Sequence, residues 1–201
     1  MRNARKVNLA AVLLMPLVAF RVGLSQSDEA PAWLTVAPDG GGFSVLMPTK
    51  PALEKDQSPI AGNKYETNTY SASETKSGNI YLVITQETPT ITQALSTAKR
   101  MDEFVAGFKE GFGNDKRKAE LNFDRELALD GRYGRQYTFA YAETRGILRA
   151  YDSGRRVYVL LALGGDEQNS GIARFLDSFR FTTSLPSPSP GVDRPPPKAR
   201  P

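Results

Sequence analysis

Six arginines fall between positions 132 and 156: Arg132, Arg135, Arg145, Arg149, Arg155 and Arg156. A guanidinium group offers a rigid fork of N–H donors that matches a carboxylate or phosphate, and it stacks on aromatic rings. Alternation along an extended chain places Arg145, Ile147, Arg149 and Tyr151 on one face of a strand. Together with Arg135 on the preceding run, Arg145, Arg149 and Tyr151 form the candidate partner-binding surface, suited to an acidic protein face. The alternative is a solvated strand face kept soluble by charge, with its arginines paired to nearby acids such as Glu143 and Asp152.

Other chemistry lacks its partners. Asp102, Glu103, Asp152, Asp166 and Glu167 could supply the two carboxylates of a glycoside hydrolase, which need no histidine. Neighbours such as Asp102 and Glu103 leave a helix in different directions, however, and do not converge. Ser96-Thr97-Ala98-Lys99 has Ser-x-x-Lys spacing without the companion motifs of that nucleophile class. Gly164-Gly165-Asp166-Glu167 spells most of a diguanylate cyclase signature, but Gln168 stands where an aromatic residue completes it. Here the two glycines read as a turn from strand to helix, with Asp166 or Ser170 as the cap. All eight tyrosines lie between residues 65 and 158, and Tyr137, Phe139 and Tyr141 share one strand face. They read either as the lining of a cleft for an apolar or sugar ligand or as cross-strand packing.

The chain contains neither histidine nor cysteine. That removes the imidazole base and ligand, the thiolate nucleophile, the disulfide and the zinc–thiolate site. No catalytic residue, metal or cofactor is therefore expected, and the chain reads as non-enzymatic.

These candidates must be positioned by strands and two helices. Residues 33–36 and 43–47 are short β-like runs around Pro38-Asp39-Gly40-Gly41-Gly42, and Pro48 and Pro51 stop the second. Residues 65–72 and 80–86 read as a hairpin about Lys76-Ser77-Gly78-Asn79; the apolar 80–84 suits a strand buried on both faces. A long helix follows, with Thr90 as cap and Gln93 as its capping-box partner. Its stripe is Ile91, Leu95, Ala98, Met101, Val105, Phe108 and Phe112, and Gly111, Gly113 and Asn114 end it. Four strand-like runs then follow at 119–129, 135–142, 145–151 and 156–163. Their short, turn-rich links make an antiparallel meander. Ile172, Phe175, Leu176 and Phe179 mark a short amphipathic helix. The fold class is α+β: an antiparallel sheet with a meander, covered by one long and one short helix in an α/β/α sandwich-like arrangement.

The ends read differently. Residues 1–25 have the basic start (Arg2, Arg5, Lys6), apolar run and small residues (Gly23, Ser25) of a signal peptide. Arg21 and Pro16 allow the alternative of an uncleaved membrane anchor, although the apolar run is shorter than the ~20 residues of a spanning helix. Residues 183–201 form a proline-rich tail that cannot bury enough apolar surface to order itself, with seven prolines in the last sixteen positions. The segment between, 26–182, is a single domain. Its 19 basic and 21 acidic residues leave the chain's excess of positive charge to the two ends, which argues against nucleic acid. Export to the periplasm or beyond is expected, with no stable membrane span once the signal is removed.

Across residues 33–182 the chain resembles the exported relatives of the PsbP/Mog superfamily. The likeness is carried by Phe43-Ser44-Val45-Leu46-Met47-Pro48, the long mid-chain helix, the hydrophobic meander, and Arg174-Phe175-Leu176-Asp177-Ser178-Phe179-Arg180-Phe181. It implies an antiparallel sheet sandwiched by helices, and a binding or assembly role with a protein partner in the cell envelope. It carries no catalytic residue across, and metal sites that use histidine cannot exist here. Two other functions stay open: a small-ligand carrier with its cleft between the sheet and the long helix, and a carboxylate-dependent hydrolase.

Overall fold

A computed structural model describes residues 32–60, 63–111 and 119–182, the side chains of 58–60 and 63 excepted. The expected signal peptide, the proline-rich tail and the Phe112-Gly113-Asn114 end of the long helix lie outside these residues.

Ten strands and two α-helices are described. A small antiparallel sheet joins β1 (Leu34–Val36), β2 (Phe43–Met47) and β10 (Arg180–Phe181) in the order β1-β2-β10. The large sheet is antiparallel throughout. It contains β3 (Ala52–Ile60), β4 (Asn63–Ser73), β5 (Ile80–Glu87), β6 (Glu120–Leu129), β7 (Arg132–Tyr141), β8 (Thr144–Asp152) and β9 (Arg156–Leu163), in the order β3-β4-β5-β9-β8-β7-β6. The expected meander is β6 to β9. Its Asp130-Gly131 turn has both residues at positive φ, 51° and 72°, as a two-residue hairpin link requires.

The alternation of each strand divides the core in two. Tyr81, Val83, Ile147, Tyr151, Tyr158, Leu160 and Ala162 face one way, toward the small sheet and α2 (Ser170–Ser178). Leu82, Ile84, Tyr137, Phe139, Leu148, Val159 and Leu161 face the other way, toward α1 (Thr97–Gly111). Strands β5 and β9 are buried on both faces because they are central, as the apolar run 80–84 predicted for β5. The α+β class and the layered arrangement thus stand, with the small sheet sharing the layer of α2.

Three local expectations are corrected. Residues 52–60 had no place in the sequence reading, yet they form edge strand β3, paired from Ala52↔Ser71 to Ile60↔Asn63. An edge strand can be polar on most positions and can carry a proline such as Pro59. The long helix also starts later than its capping signal: Thr90–Thr92 is a separate 3-10 turn without a side-chain cap. Gln93 donates to the Thr88 carbonyl (3.4 Å) instead of completing a capping box, and Ser96 accepts from the Lys99 amide (3.4 Å) at the real helix start. The stripe therefore shrinks to Met101, Val105 and Phe108, while Ile91 is 58% exposed. Finally, α2 is capped by Asn169, whose Oδ1 accepts from the amides of Gly171 (3.0 Å) and Ile172 (3.2 Å), and not by Asp166 or Ser170.

Candidate binding groove

The four residues of the expected partner surface do not share one surface. Arg145, Arg149 and Tyr151 do lie on one face of β8, but that face points inward at α2. Tyr151 is 4% exposed and stacked on Phe179 at 5.8 Å. Arg149 is held on all sides: its Nε donates to Gln136 Oε1 (2.7 Å), Nη1 to Asp177 (2.8 Å) and Nη2 to Glu167 (2.8 Å). Its partners are thus neither Glu143 nor Asp152 but acids of α2 and the β9–α2 loop. Arg125 joins the cluster through Glu167 (2.7 Å) and Asp124 (2.9 Å). Of the original set, Arg145 alone is exposed on that side. The other arginines are dispersed: Arg132 lies over the Phe181 ring at 4.1 Å, and Arg156 donates to the Gly40 carbonyl (3.0 Å).

This network also sets an acid response. Burial would raise the Glu167 pKa, but hydrogen bonds from Arg149 and Arg125 outweigh it and hold the carboxyl below its ordinary 4.5. A lowered folded-state value means the stabilisation is complete above the unfolded pKa and is lost as pH falls through the folded one. Glu167→Gln is expected to flatten the fall in stability below about pH 4.5, read from urea midpoints between pH 3 and 6.

Arg135 stands on the opposite face. Gln136 is paired with Arg149, so its neighbour Arg135 must point toward α1. There it lines an open groove of about 490 Å³ between α1 and the β6–β7 end of the sheet. Val105 and Ala106 of α1, Leu121 and Phe123 of β6, and Tyr137 of β7 form the apolar walls; Asp102, Lys109, Glu126 and Arg135 are the charged groups. Phe123 is 58% exposed and meets Tyr137 edge-on at 6.0 Å.

A β-bulge shapes this rim. The β6–β7 register shifts between Phe123 and Arg125, so that Phe123 opposes Tyr137 and Arg125 opposes Gln136, with Asp124 as the extra residue. Asp124 and Arg125 consequently both reach Gln136, on the α2 side, at 2.7 and 3.1 Å. Glu126 is thereby returned to the groove side, opposite Arg135. A chain of bonds results: Arg135 Nε donates to Tyr133 Oη (2.7 Å), Tyr133 Oη donates to Glu126 Oε1 (2.7 Å), and Arg135 Nη1 donates to Asp102 Oδ1 (2.5 Å). Burial opposes the charge on Arg135, but the bonds to Asp102, Tyr133 and Tyr137 outweigh it and leave the guanidinium more firmly protonated than usual. Burial also raises the Tyr137 hydroxyl above its usual range, with Arg135 acting against it.

The remaining candidates are structural. Asp152 is fully buried against Arg100 of α1, Nη2 to Oδ2 at 2.7 Å. Asp166 accepts from the Gln168 amide (2.9 Å) within its own loop. Ser96 and Lys99 meet through backbone and hydroxyl at a helix start. Asp102, Asp152 and Glu167 of the proposed hydrolase set are each engaged by different arginines. Gly164 (φ 112°) takes its turn against Asn79, whose Oδ1 an added Cβ would strike, so the first glycine of the pair serves the turn and its packing. Sequence reasoning missed Phe123, Lys109 and Ala106; the visible signal was one aromatic residue among Asn122, Asp124, Arg125 and Glu126.

With this fold and groove, the molecule falls in the class of antiparallel α+β sandwiches with a PsbP-like topology. No protein family and no curated protein matches the chain. Among solved structures it is similar to the solution structure of cyanobacterial PsbP (CyanoP) from Synechocystis sp. PCC 6803, with 15% identity over 80% of this chain and 98% of that one and a TM-score of 0.50. At that identity the likeness is one of fold, and no site residue is carried over. Among the described residues, no helix is long and apolar enough to cross a membrane.

Proposed function

We propose that the chain is a non-catalytic binding domain that engages a protein partner through the groove between α1 and the β6–β7 edge. One observation carries this: the groove displays a large aromatic side chain, Phe123, that is mostly exposed, over apolar walls and beside a sheet edge. Aromatic residues over partly desolvated pockets are the usual anchors of protein interfaces. The Arg-rich meander, the surface expected from sequence, has lost its support because Arg149 and Tyr151 are engaged inside the molecule. The PsbP side of the resemblance, rather than the Mog side, is the one the fold likeness favours. The signal-like pattern of residues 1–25 supports a partner in the cell envelope.

A second reading, the small-ligand carrier, shares this site, since the groove lies in the expected cleft between sheet and long helix. The carboxylate hydrolase has no comparable support.

A photo-crosslinking phenylalanine derivative at position 123 tests the reading, with position 145 as the comparison. A discrete protein adduct in envelope fractions is expected from 123 and not from 145. Adducts from 145 alone would return the contact to the meander face, and adducts from neither would overturn the protein-partner reading. Phe123→Ala is expected to reduce such capture while shifting unfolding free energy by only about 1 kcal/mol or less, because the ring is largely solvated.

A further inference from the structure

We propose that the groove recognises an acidic side chain of the partner, flanked by an apolar residue, and that the carboxylate of Asp102 occupies the acid's place until the partner arrives. The inference deepens the groove reading above and rests on it.

It starts from an asymmetry within one ion pair. The Arg135 side chain is 15% exposed, whereas that of Asp102 is 64% exposed. The guanidinium is fixed from behind: Nε donates to Tyr133 Oη at 2.7 Å, and the cation lies 5.5 Å from the Tyr133 ring centre. Tyr133 in turn is held by Glu126 at 2.7 Å, so Glu126 is directed at the hydroxyl and leaves the outer edge of the fork open. Among the described residues Asp102 is the carboxylate bonded to that fork, with the neutral Tyr137 hydroxyl beside it.

Such a cation must keep an anion, because a half-buried charge without a partner loses solvation and gains nothing in return. Asp102 does not need its cation equally, being largely hydrated at the surface of α1. Exchanging one carboxylate for another therefore leaves Arg135 paired and returns Asp102 to water at little cost, since Asp102 is already largely hydrated. Once Asp102 swings out, Lys109 and Arg135 face Glu126 as the one acid lining the groove among the described residues. The site then favours an incoming negative charge. An apolar residue next to that charge meets Phe123 and Val105, and this contact tips the exchange.

The test uses amide chemical shifts of the full chain titrated with two capped peptides, acetyl-Gly-Phe-Glu-Leu-Gly-amide and its counterpart with Gln for Glu. Saturable shifts at Val105, Leu121 and Arg135 are expected, with the Glu peptide bound about tenfold more tightly, the size of one charge-assisted hydrogen bond. Asp102→Asn removes the resident carboxylate and should tighten the Glu peptide without helping the Gln peptide. Arg135→Lys keeps the charge but loses the fork, and Arg135→Gln loses both; a dispersed amide spectrum confirms that each is folded. Each should diminish the preference for Glu, the second abolishing it. Equal binding of both peptides in the groove would overturn the inference while leaving the groove reading intact. Unchanged or weaker Glu binding in Asp102→Asn would overturn it too. Groove amides unmoved by either peptide would do the same, and the crosslink at position 123 then decides the groove reading separately.

Discussion

Asp152→Ala is expected to remove about 3–5 kcal/mol of stability, the usual consequence of deleting one member of a buried charge pair. The Asp152 side chain is fully buried and that of Arg100 is 12% exposed. Oδ2 accepts from Arg100 Nε (2.8 Å) and Nη2 (2.7 Å), and Oδ1 accepts from the Gly154 amide (2.6 Å) that closes the β8–β9 turn. Through Nη1 the same arginine donates to the Leu95 carbonyl at 2.6 Å, and through Nη2 to Thr97 Oγ1 at 3.2 Å. The substitution therefore strands a cation, leaves a turn amide unpaired and frees the start of α1 at once. A domain of this size has only about 5–15 kcal/mol in total, so the urea midpoint should fall by a large part of its value. Asp166→Ala, which removes an acid held only within its own exposed loop, serves as the control and should cost less than about 1 kcal/mol. A cost for Asp152→Ala equal to that control would show that water reaches the pair.

That pair also explains why the start of α1 was misread. Thr90 and Gln93 satisfy a local capping rule, but residues 93–97 are arranged around Arg100, which reaches back to their carbonyls while bound to an acid 52 positions ahead. No local window contains that constraint. Strand β3 escaped for a different reason: its residues are polar and flanked by prolines, so it offers neither alternation nor an apolar run. By contrast β5, β9 and α2 were legible because each buries its apolar residues against elements that any arrangement of a small sheet must supply.

The candidate site shows the same division. Alternation placed Arg145, Arg149 and Tyr151 correctly on one face, yet not which way that face points. The acids that hold Arg149 lie 18 and 28 residues away, beyond any pairing by proximity. Arg135 was grouped with them by nearness in sequence, although hairpin pairing of Gln136 with Arg149 sends it to the opposite side. Asp124 is what sequence could least reveal. As the extra residue of a bulge it turns two consecutive side chains toward α2 and brings Glu126 back to the groove, reversing the parity that strict alternation assigns.

Phe179→Ala is expected to cost about 3–5 kcal/mol, the range for truncating a fully buried aromatic residue. Phe179 is 1% exposed and ends α2 just before β10. Its ring stacks on Phe43 of the small sheet (5.7 Å) and on Tyr151 of the large one (5.8 Å), and it meets Phe181 edge-on (5.1 Å) and Tyr158 at 6.1 Å. Together with Phe43 and Phe181, which meet Tyr70, Tyr151 and Tyr158 directly, it joins the β1-β2-β10 layer to the main sheet. Beyond the transfer energy of one phenyl group, its loss opens a cavity between two layers that are each too rigid to close it. The small sheet has only three short strands and depends on this contact, so amide exchange in β1 and β2 should accelerate more than in β5 or β9. Phe179→Leu keeps most of the volume and should recover more than half of the loss. Uniform acceleration across both sheets would instead mean that the two layers open together and that the small sheet does not depend separately on this contact. Because the groove lies on the far face of the large sheet, peptide binding there should survive this substitution at temperatures where the domain remains folded. Groove binding and the aromatic layer would then be separable, although both faces of the sheet contribute to the fold.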